Sequence, residues 1–232
     1  MTFSYIVFFT GDDPAARISD SDRASVRSAI GGLSGMTKGR LYTPETASDL
    51  YNDDGHSPLF GFQLYFETVE ALEAAVSAGG PLQALAAPGA LPSLAATQAT
   101  QQAMLTRSFH VPEPAPLSPE ACSYVVHYPG PAADTNAWLS HYIHHHPPIM
   151  QRFPGVRELE ILTRIDWIDA LPWRRVNHLQ RNRILFDSAK ALEDALHSPV
   201  RHEMRADFGD FPPYEGGNFH YPVATEEVAP EV

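Results

Sequence analysis

The chain states one structural plan twice, and that repetition restricts its fold more than any other feature. Ser4-Tyr5-Ile6-Val7 returns as Ser123-Tyr124-Val125-Val126. Leu33-Ser34-Gly35-Met36, followed by Thr43, returns as Phe153-Pro154-Gly155-Val156, followed by Thr163. Phe66-Glu67-Thr68 with Ala71-Leu72-Glu73 returns as Phe186-Asp187-Ser188 with Ala191-Leu192-Glu193. The last two groups share one displacement of 120 positions (Leu33 to Phe153, Phe66 to Phe186). Phe109-His110-Val111-Pro112 returns as Phe219-His220-Tyr221-Pro222, displaced by 110, because the Ala/Gly/Pro/Leu stretch 78–97 is longer in the first half. Four matches in the same order predict two copies of a β-α-β-β-α-β unit, the ferredoxin-like split.

In the first copy, residues 2–10, 33–43, 59–66 and 104–111 read as strands, and 19–30 and 67–77 as helices. Asp20 or Ser21 is the expected N-cap of the first helix, and Gly31-Gly32 stops it. Residues 44–57 are polar and turn-rich, and 78–97 should hold at most one helical turn. The run 112–120 carries four prolines, which makes a semi-rigid linker. These signals divide the chain into a first repeat (1–112), a linker (113–120), a second repeat (121–224) and an acidic tail (225–232). The strand 59–66 is apolar on both alternating sets of side chains, which predicts that both sheet faces are buried. Helices would cover one face and the sheet of the other repeat the second.

Composition narrows the function. The chain has 28 acidic and 16 basic residues, net −12. That balance argues against nucleic acid and against an anionic membrane surface. Cys122 is the only cysteine, so no intrachain disulfide forms, and its place before an apolar strand predicts a packed thiol. The apolar start lacks a basic region and a small-residue cleavage site, and no run reaches the length of a membrane span, so a cytoplasmic protein is expected. Phosphate-cradling glycine loops, a G-x-S-x-G elbow and a dinucleotide fingerprint are absent from the sequence.

The stretch WLSHYIHHHPPIMQRFPGV, 138–156, concentrates groups that exchange protons near neutral pH: His141, His144, His145 and His146. It reads as the end of an amphipathic helix stopped by Pro147-Pro148. His146 then sits at a helix C-terminus, where the dipole raises its pKa and burial lowers it, leaving a general acid or base near neutrality. The bland reading is a C-terminal cap. His141 and His145 share a helix face, so both reach one point in space, but any further metal ligand must come from a strand such as those of His127 or His178. Neither of those two has a histidine counterpart in the first repeat, which favours them as partners of His146; His110 and His220 recur at equivalent places, which favours a structural role. Asn182 shares a face with His178, and Arg181 and Arg183 point the other way. Trp167 and Trp173 lie in one connection, as a lid over an apolar ligand or as a dimer contact, and Asp166 or Asp169 is a residue type able to orient a histidine, in a position the sequence does not fix.

The whole chain resembles a fused member of the dimeric α+β barrel superfamily, and its second half the EthD-like branch. The resemblance rests on Trp138, Tyr142, His146-Pro147-Pro148-Ile149, Phe153-Pro154-Gly155-Val156, and Leu185-Phe186-Asp187-Ser188 with Ala191-Leu192. It covers 120–222 well and 2–112 in outline. It implies an intrachain α+β barrel and a small-molecule enzyme without a bound cofactor. The substrate would be aromatic, polyketide-like or a lactone, and the reaction isomerisation, cyclisation, dehydration, decarboxylation or cofactor-independent oxygenation. His146, His127 and His178 would be catalytic, with Trp138, Tyr142, Trp167, Trp173, Asn182 and Arg183 around the substrate. The alternative is a non-catalytic ligand-binding or accessory protein. Haem held by one histidine is a further option, with Arg174, Arg175, Arg181 and Arg183 as its basic groups. A further homodimer is compatible with the fold.

Overall fold

The computed structural model describes residues 2–231. The first half runs β1 (Thr2–Thr10), α1 (Asp20–Gly31), β2 (Met36–Pro44), β3 (Phe60–Phe66), α2 (Val69–Val76), α3 (Gln83–Ala86), a 3-10 turn (Pro92–Leu94) and β4 (Gln98–Phe109). The second runs β5 (Cys122–Tyr128), α4 (Thr135–Met150), β6 (Glu158–Arg164), β7 (Arg174–Arg175), β8 (Gln180–Phe186), α5 (Ala189–Leu196), α6 (Pro199–Gly209) and β9 (Phe219–Val228). Residues 110–121 carry neither helix nor strand.

Each half orders its four long strands fourth, first, third, second: β4-β1-β3-β2 and β9-β5-β8-β6. The two sheets join edge to edge through two equivalent antiparallel seams, β2 with β9 and β4 with β6. Eight strands therefore close into an intrachain dimeric α+β barrel of tandem ferredoxin-like units, and closure leaves no free edge among them. The short β7 pairs parallel with Thr100 and Gln101 of β4, ahead of the stretch of β4 that pairs with β6.

Strand periodicity assigns the faces. In β3, Phe60, Phe62, Leu64 and Phe66 pack outward against Val26, Ile30, Leu72 and Val76 of the helices. Gly61, Gln63 and Tyr65 turn into the barrel. Every residue of β3 is buried, as expected, but the inward face is filled by a mixture of rings and hydrogen-bonded polar groups. Gly61 is required there: a Cβ would lie 2.6 Å from the Phe8 ring and 2.9 Å from the Val7 carbonyl oxygen. Gly61→Ala is expected to destabilise the fold by about 1–3 kcal/mol through this overpacking, read from the urea unfolding midpoint.

Thr68 and Ser188 cap α2 and α5, each side chain accepting from the backbone N–H three residues on, Ala71 and Ala191. The repeated junction is thus a repeated cap. Ser19, not Asp20 or Ser21, caps α1, accepting from Asp22 N.

Four further expectations are corrected. The helix of the His-rich stretch does not stop at Pro147-Pro148 but continues through both to Met150. The prolines delete two N–H donors, yet Pro147 and Met150 are buried on the side that faces the sheet, and that packing sustains the last turn. The acidic tail is partly sheet: Thr225–Val228 lie in β9 and pair with Gly39–Tyr42 of β2. His178 precedes β8 and His110 follows β4. Helix α6 was not anticipated, although Ser198-Pro199 is a helix-start signal with proline at the first position.

Candidate functional site in the second half

The side chains of β5 alternate, with Tyr124, Val126 and Tyr128 facing the helices and Ser123, Val125 and His127 facing the barrel. On β8, Asn182 and Ile184 face the helices. Helices α4, α5 and α6 cover this surface and leave one cleft. Tyr124, Val126, Tyr128, Asn182, Ile184 and His220 line its floor; His146, Met150, Leu196, Arg201, Met204 and Phe208 line its roof. Phe153, Arg205, Asn218 and Asn52 complete it, Asn52 coming from the 44–57 loop of the other half. The cleft encloses about 470 Å³ of space, mouth included.

His146 is 3% exposed and lies one turn before the end of α4. Its Nδ1 donates to Asp207 Oδ2 at 2.5 Å, across from α6. Tyr142 packs on one side of its ring, with centroids 4.9 Å apart, and Phe211 stands edge-on at 5.0 Å. Nδ1 being committed, Nε2 is left with its lone pair and no hydrogen-bond partner among the described residues. Burial is the largest influence on this imidazole and lowers its pKa; the hydrogen bond and charge of Asp207 partly oppose it, while Arg201 and His141 add to the lowering. Burial raises the Asp207 carboxyl, but the contacts with His146, His141 and His145 outweigh it and hold it below its usual value. The pair is a neutral base oriented by a carboxylate.

A second histidine–carboxylate pair borders the same cleft. His220 Nδ1 donates to Asp54 Oδ2 at 2.6 Å, and its Nε2 accepts from the amides of Asn52 (3.2 Å) and Asn218 (3.4 Å). The His220 ring stacks on Tyr124 at 5.4 Å. The bond from His220 is the main reason Asp54 lies below the ordinary carboxylate value. The same loop is pinned by Asp49, which accepts from Arg201 Nε (2.9 Å), Arg201 Nη2 (3.0 Å) and the Tyr124 hydroxyl (2.8 Å). Asn182 Nδ2 donates to the Tyr142 hydroxyl at 2.7 Å, and Asn182 Oδ1 is buried with no partner, an acceptor left for a ligand hydroxyl or N–H.

The structure brings together only part of the expected set. His146 and Asn182 line the cleft. Trp138 and Tyr142 are fully buried beside it, stacked on each other at 5.1 Å as supports rather than walls. His127 and His178 do not meet His146. His127 faces the barrel interior with Phe8, Tyr221 and His178 around it, because strand parity puts it opposite Val126 and Tyr128. Arg183 is also inside the barrel, paired with Glu158 and Glu160. Trp167 and Trp173 belong to the other half: Trp167 joins the first core under Arg175, and Trp173 packs edge-on against Phe9 and Phe62. Asp169 accepts from Gln101 rather than from a histidine. Cys122 is buried, and burial pushes its thiol up to about 12, as a packed thiol requires.

His141 and His145 stack at 4.5 Å, but no group of three or more metal-binding side chains converges among the described residues. The residues present do not fit haem. His146 has the hydrogen-bonded Nδ1 and free Nε2 of an axial ligand. As it stands, the cleft is too narrow for a haem macrocycle, and its walls would have to open for any large ring. Arg201 is tied to Asp49, Arg205 in the lining lies over the Tyr51 and Phe208 rings, and Arg174, Arg175, Arg181 and Arg183 do not line the cleft. No described helix is long and apolar enough to cross a membrane.

No protein-family model matches the sequence, and no curated protein matches it. Solved structures do match its fold over nearly the whole chain. An anthrone oxidase-like protein superposes with a TM-score of 0.64 at 12% identity, covering 98% of this chain and 93% of that one. A candidate monooxygenase from Lactobacillus acidophilus gives 0.55 at 12%, covering 98% and 96%. A mutant chlorite dismutase from Candidatus Nitrospira defluvii gives 0.52 at 10%, covering 96% and 91%. At these identities the likeness establishes the dimeric α+β barrel architecture, and chemistry must be argued from the site.

Proposed function

We propose that this chain is a small-molecule enzyme that moves a proton without a bound cofactor. The observation that carries the reading is the His146–Asp207 pair. A buried, neutral imidazole with one nitrogen fixed by a carboxylate and the other turned to an apolar cleft is the arrangement of a general base. The substrate class is an enolisable aromatic ketone, polyketide-like in character. The walls are Tyr124, Tyr128, Phe208, Met150 and Met204, with Asn182 Oδ1 and Arg205 among the few polar groups of the lining. His146 Nε2 takes a proton from the carbon next to the carbonyl, Asp207 stabilises the imidazolium, and an enolate remains. Returning the proton at another carbon is isomerisation. Reaction of the enolate with dioxygen is oxygenation. For anthrone, which the name of one structural neighbour suggests as a first probe, the balance is anthrone plus dioxygen giving anthraquinone plus water.

The methionines, Phe208 and the 44–57 loop must yield to admit a tricyclic ring, since the cleft is narrow. The test separates base chemistry from oxygen chemistry. Under nitrogen in heavy water, the protein should speed loss of the anthrone methylene proton signal well above buffer. In air it should speed the rise of anthraquinone absorbance. Binding of anthrone without exchange would make the chain a ligand-binding protein instead.

A further inference from the structure

We infer that the barrel interior binds a small monovalent anion, a halide or a formate-sized carboxylate, against the guanidinium of Arg181. The inference concerns the opposite face of the sheet from the His146 cleft and does not depend on the reading of that cleft.

The barrel holds three buried arginines, and two have acids. Arg183 is paired with Glu158 and Glu160, and Arg40 with Glu158 and Glu227. Arg181, one inward position along β8 from Arg183, has none. It is 1% exposed and makes no hydrogen bond or ion pair among the described residues; its Nε and Nη1 are buried without a partner. Its surroundings are the Phe8 ring, two histidines and Tyr221 rather than a carboxylate. The guanidinium lies 5.7 Å from the centre of Phe8, His127 is its cross-strand partner, and His178 packs on His127 at 5.2 Å.

Both histidines are held neutral: burial and then Arg181 lower their pKa values, His178 to about 3. Burial pulls Arg181 itself down to about 9, which still leaves it cationic at neutral pH. Unpaired charge in a protein interior is costly, and buried cations are found paired with an anion. Other buried polar atoms on the inner surface are also orphaned: His127 Nε2 and Gln102 Oε1, and Nε and Nη1 of Arg40, whose Nη2 alone meets its acids. His127 Nε2, if protonated in its neutral tautomer, adds a second donor to the site. An anion supplies what the sequence of this barrel end lacks, because the inward positions next to Arg181 are Leu162 on β6 and His127 on β5.

The test uses the full chain, dialysed into sodium gluconate, an anion too large for the interior. Gluconate is then replaced by chloride, bromide or formate at constant ionic strength. The thermal midpoint should rise with anion concentration, approaching a tenfold gain in the folding constant per tenfold rise in anion above its dissociation constant. Arg181→Met should abolish the response. A wild-type midpoint that ignores all three anions, or an equal response in Arg181→Met, overturns the proposal. If Arg181→Met does not fold, wild-type crystals soaked in bromide decide: an anomalous peak within hydrogen-bonding reach of Arg181 Nε or Nη1 is expected, and ordered water alone at that place overturns it.

Discussion

His146→Gln is expected to lower anthrone proton exchange by about 10²–10⁴-fold, with the unfolding midpoint kept within a few degrees. Glutamine keeps a polar group near Asp207 but supplies no basic nitrogen. Asp207→Asn separates orientation from basicity. It removes the charge that raises the His146 pKa and leaves at most a neutral hydrogen bond to Nδ1, so burial acts with less opposition and the pKa falls further. The rate of a base that must be unprotonated rises with pH and levels off above its pKa. The acid limb of the Asp207→Asn profile should therefore shift to lower pH, while its plateau drops. A purely structural role for Asp207 would leave the limb where it is. His220→Asn should change KM more than kcat if His220 only shapes the cleft wall, and should change kcat if it carries the second proton. The measurement is initial exchange rate against pH for the wild type and the three variants.

The architecture was legible because it is written twice and because strand alternation is a short-range signal. The displacement of 120 that links Phe66-Glu67-Thr68 to Phe186-Asp187-Ser188 marks the same strand end and helix cap in both halves. The site was half legible. His146 stood out through the EthD-like resemblance of its His-Pro-Pro-Ile stretch, and the opposed faces of Asn182 and of Arg181 and Arg183 followed from parity. The same parity rule placed His127 away from His146, once Tyr124 and Tyr128 are taken as helix-facing. What the sequence could not show is long-range pairing. Asp207 lies 61 residues from His146, on a helix marked only by Ser198-Pro199. Asp54 lies 166 residues from His220, on a loop of the other half. The recurrence of histidine at 110 and 220 argued for a structural role, but the first copy falls beyond β4 while the second stands in β9 beside the cleft.

Arg183→Met is expected to destabilise the fold by about 3–5 kcal/mol at neutral pH, the largest effect of any single change outside the hydrophobic cores. Arg183 is fully buried and binds Glu160 Oε2 through Nε at 3.1 Å and Glu158 Oε2 through Nη2 at 2.5 Å. Tyr65 and Gln63 donate to the same Glu160 oxygen, at 2.8 and 3.4 Å. Burial raises both carboxyl groups, yet the arginine contacts more than reverse it and leave Glu158 at about 2 and Glu160 below its usual value. Folded pKa values below the unfolded ones give stability that is present above about pH 4.3 and lost as pH falls toward 2. Without Arg183 the balance inverts at Glu160. Burial then dominates and lifts its pKa, so the variant's deficit should be widest at neutral pH and shrink on acidification. Adding Glu160→Gln to Arg183→Met should recover much of the loss, since it removes the charge left uncompensated. Urea unfolding of the wild type and both variants at pH 7 and pH 4 reads all three effects. A deficit independent of pH, or one the second substitution fails to reduce, would mean that Arg183 acts by filling space, and that the ion pairs across the β8–β6 ladder contribute little to holding the barrel shut.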